Sequence, residues 1–155
     1  MKYFFTVFFL LFSACSIKNY EHTEAKIVII KSPQLKFADL GYLRHTQDAV
    51  ELELFVAGKS VQKIEINHLI CVKEGCLSKS SFNSSYLNSH YPDNILQNIL
   101  LAKPIFQRAN FQRTQNGFTQ SIQTEYVNII YRVDADMTYF KDKKNKILIK
   151  IKETK

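Results

Sequence analysis

AVELELFVAGKSVQKIEINHLICV, Ala49 to Val72, decides the fold class. In its first half Val50, Leu52, Leu54 and Val56 alternate with Glu51 and Glu53. A period of two sets one row of side chains against a core and the other in water, as in a half-buried strand. The second half repeats the device, with Ile64, Ile66, His68 and Ile70 on one face and Lys63, Glu65 and Asn67 on the other. Ala57-Gly58-Lys59-Ser60 between them has turn composition, so the stretch predicts an antiparallel hairpin. His68 falls on the apolar face. No acid or nucleophile lies close to it in sequence, and it is expected to be a core or rim histidine rather than a catalytic one.

Other runs share this period. KIVIIK, Lys26 to Lys31, is a β-branched strand stopped by Ser32-Pro33, and QLKFADLGYL follows it. Toward the end, Val127, Ile129, Tyr131 and Val133 share a phase; MTYF, the turn-like KDKKNK (Lys141 to Lys146) and ILIKIK come next, the last with Ile147, Ile149 and Ile151 on one face. Asn116-Gly117 carries a type I′ hairpin signal. The two Phe-Gln-Arg copies at Phe106 and Phe111 are five residues apart, would face opposite ways in one strand, and read as chance.

The polar stretch Leu77 to Tyr91 is expected to be loop or irregular helix. Pro92 to Pro104 is the one clear helix: Ile95, Leu96, Ile99 and Leu100 recur at helical spacing, Pro92 and Asp93 suit its first turn, and Pro104 ends it. Its apolar stripe is expected to pack on a sheet. The whole predicts a mainly β (α+β) domain, an antiparallel, partly open β-barrel with one short amphipathic helix packed in or over it. Leu52, Leu54, Ile64, Ile66, Ile129, Tyr131 and Ile149 would line its concave face, where an acyl chain could lie.

The start of the chain has export layout. Lys2 is followed by an apolar run from Tyr3 to Phe12 and by Ser13-Ala14 before Cys15. Such a run is too short for a permanent transmembrane helix, which takes roughly 20 apolar residues. Residues 1–14 are the expected signal peptide, residues 15–25 a lipidated cysteine with a flexible tether, and residues 26–152 a single domain. Cys71 and Cys76 pair as a disulfide if the compartment is oxidising; free thiols and a metal site are the alternatives, and tetrahedral zinc would need two further donors. The formal charge of +7 suits an anionic partner. For an exported chain that partner is envelope lipid rather than nucleic acid, while a basic balance serving only solubility is the plain alternative. Asp134 and Asp136 are two apart and read as a solvated turn. No G-x-S-x-G, HExxH or glycine-rich phosphate loop is present, and a non-enzymatic protein is expected.

Ser13-Ala14-Cys15 resembles the bacterial lipobox, which implies diacylglycerol on the Cys15 thiol and an N-acyl group on its amine, with no other cofactor. Ser16 stands where the familiar inner-membrane retention signal has Asp, which implies the outer membrane, on a lipid anchor facing the periplasm. Further on, P-x-x-I-L-x-x-I-L-x-x-K-P at Pro92 to Pro104, and G-F-x-Q-x-I, I-Y-x-V and F-x-D-x-x-N-x-I-x-I-K-I between Gly117 and Ile151, resemble the LolA/LolB lipoprotein-carrier group. The group commonly has Gly-x-Pro where this chain has Ala102-Lys103-Pro104. The resemblance implies a half-open barrel with helices over its mouth, holding the acyl chains of a lipid or lipoprotein. The alternative function is an envelope assembly or structural lipoprotein that binds a protein partner.

Overall fold

In the computed structural model, which describes residues 20–154, almost every run of alternating sequence becomes a strand of one antiparallel sheet. The signal peptide, Cys15 and the first part of the expected tether lie outside the described residues. The strands are β1 (His22–Lys31), β2 (Lys36–His45), β3 (Val50–Val56), β4 (Lys59–Ile66), β5 (Ile70–Val72), β6 (Gly75–Leu77), β7 (Phe111–Thr114), β8 (Gly117–Gln123), β9 (Asn128–Val133), β10 (Met137–Asp142) and β11 (Ile147–Glu153). Two helices, α1 (Lys79–Tyr86) and α2 (Ile95–Leu100), and a 3-10 turn at Phe106–Arg108 lie between β6 and β7.

The strand order is β6-β5-β4-β3-β2-β1-β11-β10-β9-β8-β7. Each half is a meander of neighbours in sequence, and the halves meet where β1 pairs with β11, Val28 opposite Ile151 and Ile30 opposite Ile149. Laid flat, eleven strands at about 4.8 Å spacing would span about 48 Å. Yet buried residues of β1 to β5, of β8 to β11 and of both helices form one hydrophobic cluster. The sheet therefore curves around the helical segment. Its outer strands β6 and β7 are not paired with each other, so it remains an open sheet and does not close into a barrel.

Local chemistry accounts for the departures from the sequence reading. β1 begins at His22 rather than Lys26, because residues His22 to Ala25 pair with Tyr42 to His45 of β2. β4 stops at Ile66. The Asn67 side chain accepts from the Leu69 amide and the Asn67 amide donates to the Leu69 carbonyl, a local bend that competes with the ladder. His68 sits on that bend and is exposed, not on the apolar face. The hairpin between β7 and β8 turns at Gln115-Asn116, with Thr114 opposite Gly117. Neither turn residue has positive φ, so the turn is not type I′. Gly117 serves another need: a Cβ there would lie 2.0 Å from the Val133 carbonyl oxygen. The true primed turn is Ala57-Gly58, with φ of 49° and 77° between the paired Val56 and Lys59.

Two helices replace the single expected one. Ser78 caps α1 by accepting from the Ser81 amide, and this largely polar helix buries only Phe82 and Asn83. α2 is shorter than Pro92 to Pro104. It ends when Ala102 adopts φ 52° and the amides of Lys103 and Ala102 donate to the carbonyls of Asn98 and Ile99, the Schellman arrangement that normally carries glycine.

Candidate functional site

The inward row of β1 runs His22, Glu24, Lys26, Val28, Ile30, changing from charged to apolar along the strand. Val28 and Ile30 are core. Lys26 occupies the same phase one step nearer the sheet margin, and its side chain is only 9% exposed. It is tolerable there because its ammonium is held between two carboxylates, Glu24 and Glu153, the latter directly opposite it on β11. Burial alone would lower the Lys26 pKa, but hydrogen bonding to Glu153 and Glu24 outweighs it and the pKa is raised. The bond from Lys26 correspondingly lowers Glu24.

These groups line a cleft of about 590 Å³ at one margin of the concave face. Its rim is polar, with His22, His45, Glu24 and Glu153, and the rings of His22 and His45 stack with centroids 4.9 Å apart. Its floor is apolar, with Leu43 and Ile151, and one wall is the end of α2 at Leu100 and Leu101. Lys26 is held as a cation by its two carboxylate partners and is no free nucleophile. Among the described residues no group of three His, Cys, Asp or Glu could hold a metal ion. What the arrangement offers is hydrogen bonding at the rim beside an apolar surface within.

The seven residues expected along the concave face, Leu52, Leu54, Ile64, Ile66, Ile129, Tyr131 and Ile149, are all 0–1% exposed and share one cluster with α2. The helix side chains occupy the interior against them, and the cleft opens beside this packing rather than along those seven residues. Tyr131 donates its hydroxyl to the Lys103 carbonyl just beyond α2, and burial raises its pKa. Gln120, 1% exposed on the neighbouring strand, grips the next turn: its amide donates to the carbonyls of Ile105 and Ala109 and its oxygen accepts from the Ile105 amide.

At the other end of the helical segment, Asp142, the last residue of β10, is fully buried. It accepts from the amides of Asn128, Lys144 and Asn145 and from the Tyr91 hydroxyl. Cys71 and Cys76 are directly opposite each other on β5 and β6 with their sulfurs bonded and Cα atoms 3.9 Å apart. Asp134 and Asp136 lie in the turn between β9 and β10, where Asp134 accepts from the Asp136 amide. Lipidation at Cys15 falls outside the described residues.

Sequence reasoning passed over the charged rim. One signal was present: Lys26 interrupts the apolar phase of KIVIIK, so a period-two reading begun one residue earlier places a charge on the buried face. Compared with known protein families, with curated proteins and with solved structures, the chain matches none.

Proposed function

We propose that the protein is a non-enzymatic lipoprotein, anchored in the outer membrane through Cys15, whose curved sheet holds an acyl chain of a lipid or of another lipoprotein. The cleft beside α2 supports the reading, because a polar rim over an apolar floor suits an amphiphile entering tail first. The interior is filled by Ile95, Leu96, Ile99 and Leu100, so a bound chain would take the place of α2 as that helix swings aside. The test is mass spectrometry of lipid extracted from the chain purified from membranes. Stoichiometric non-covalent lipid is expected; its absence, together with no uptake of a fluorescent fatty acid, sinks the reading.

The second reading, an envelope assembly or structural lipoprotein acting through a protein partner, draws support from a different observation. β7 is an outer strand whose far edge lacks a neighbour, and such an edge can accept a strand from another chain. Crosslinking in cells that trapped one defined partner at β7, with no lipid bound, would favour it.

A further inference from the structure

The outward face of the sheet divides in two. Where β2, β3 and β4 lie side by side the charges are compensated: Arg44 bridges Glu51 and Glu53, and Lys63 bridges Glu51 and Glu65. On β1, β11, β10 and β9 they are not. One cross-strand row reads Lys36, Lys31, Leu148, Lys141 and the next Ile29, Lys150, Tyr139, Arg132; a third pairs Ile27 with Lys152 and Met137. No outward position of these four strands holds Asp or Glu, and among the described residues none of the lysines in these rows has a side-chain hydrogen bond or ion pair. Arg132 lies over the Tyr139 ring, 5.8 Å from its centroid. Ile27 is 43% exposed among these cations.

This face threads unpaired cations with apolar side chains, of which Ile27 is exposed and Ile29, Leu148, Tyr139 and Met137 are half-buried. A bilayer interface rewards both, since anionic headgroups attract lysine and arginine and the boundary beneath them takes up apolar side chains. We propose that the outward, convex face of β1, β11, β10 and β9 docks on an anionic lipid surface. The contact is separate from acyl-chain binding on the concave side and from any covalent anchor. It would lay the sheet on the bilayer with its helical segment and cleft turned toward solvent.

The test is cosedimentation of the full chain with vesicles of phosphatidylcholine alone or of phosphatidylcholine and phosphatidylglycerol in equal parts. The leader, with its Lys2, is the same in every variant, so the readout is the change between variants in the preference for the anionic vesicles. Substituting Lys31→Gln, Lys150→Gln and Lys152→Gln together is expected to cut that preference at least about tenfold. Lys59→Gln, Lys73→Gln and Arg113→Gln, the same loss of charge elsewhere, is expected to leave most of it. Equal losses in the two triple variants reduce the effect to net charge and overturn the proposal. So does an unchanged preference, or retention on immobilised polyglutamate without any vesicle preference, which assigns the face to an acidic protein. Should the first variant fail to fold, amine labelling of the unmodified chain decides. Anionic vesicles are expected to protect Lys150 and Lys152 but not Lys59 and Lys73, and equal labelling overturns docking.

Discussion

Tyr91 and Asp142, separated by 51 residues of chain, meet with the tyrosine hydroxyl donating to the carboxylate at 2.7 Å. Both are buried. This bond joins the linker between α1 and α2 to the end of β10, next to a neutral contact in which Asn88 donates to Asn145, so a charge-assisted bond helps latch the helical segment to the sheet. Tyr91→Phe keeps the ring, which packs edge-on against Phe140, and removes only the donor. It is expected to lower stability by about 1–3 kcal/mol, the usual cost of a lost bond to a charged group. Urea unfolding measures the loss, and amide exchange should quicken in α2 more than in β9. An unaltered exchange pattern would show that the bond does not hold the segment.

The ion pairs of the outer face and of the cleft rim set an acid limit. Burial alone would raise the Glu51 carboxyl, but bonds from Lys63, Tyr20 and Arg44 outweigh it and hold the pKa below the usual range. Glu53 is lowered chiefly by its bond from Arg44 and Glu24 by its bond from Lys26. A carboxyl whose folded pKa is depressed contributes stability that is complete above its unfolded value, about 4.3, and is lost as pH falls through the folded value. The urea midpoint should hold steady near neutrality and drop below about pH 4.3. Glu51→Gln should flatten part of that drop while lowering the neutral plateau, because Arg44 and Lys63 each lose a partner. A midpoint that falls equally in both proteins would remove Glu51 from the account.

Two alanines occupy backbone that favours glycine, Ala57 at φ 49° and Ala102 at φ 52°. The left-handed region costs an L-residue about 1–2 kcal/mol, while glycine adds about 0.4–1 kcal/mol of unfolded-state entropy. Ala57→Gly and Ala102→Gly are each expected to raise stability by about 0.5 kcal/mol, the difference between those effects. Ala109, at φ −53°, is the control. The same change there should destabilise, and thermal melts compare the three.

Gly117 faces the opposite constraint. The Val133 carbonyl that a Cβ would strike belongs to the neighbouring strand and cannot swing away as a side chain could. Gly117→Ala is expected to lose about 1–3 kcal/mol, the range for overpacking. Gly58→Ala meets no atom within 4 Å and carries only the cost of φ 77°. If the two variants melt alike, close approach is not what Gly117 provides.

Strands were legible wherever one face is wet. Val50, Leu52 and Leu54 against Glu51 and Glu53, or Ile147, Ile149 and Ile151 against Lys150 and Lys152, show period two because the sheet has a covered side and an open side. Elements that depend on distant partners were less visible. His22 to Ala25 lacks an apolar phase and becomes strand only because β2 is long enough to pair it. α1 is polar and short, fixed by the Ser78 cap and by Phe82 entering a core built elsewhere. Asn67 bends β4 through its own side chain, an effect that alternation does not encode. The cleft rim was hidden for another reason: Lys26, Glu24 and Glu153 become a site only when the two ends of the described chain are side by side.

The seam between β1 and β11 therefore bears on the order in which the molecule is made. Every other strand pair joins neighbours in sequence, so the contacts within each half form over short loops, whereas this one must close across more than a hundred residues. As the chain emerges from its amino end, β1 waits with one edge bare until the last strand arrives. A rearranged chain that joined β11 to β1 by a short linker, and began instead between β6 and β7, would turn that last step into a local one. It should fold faster to the same sheet.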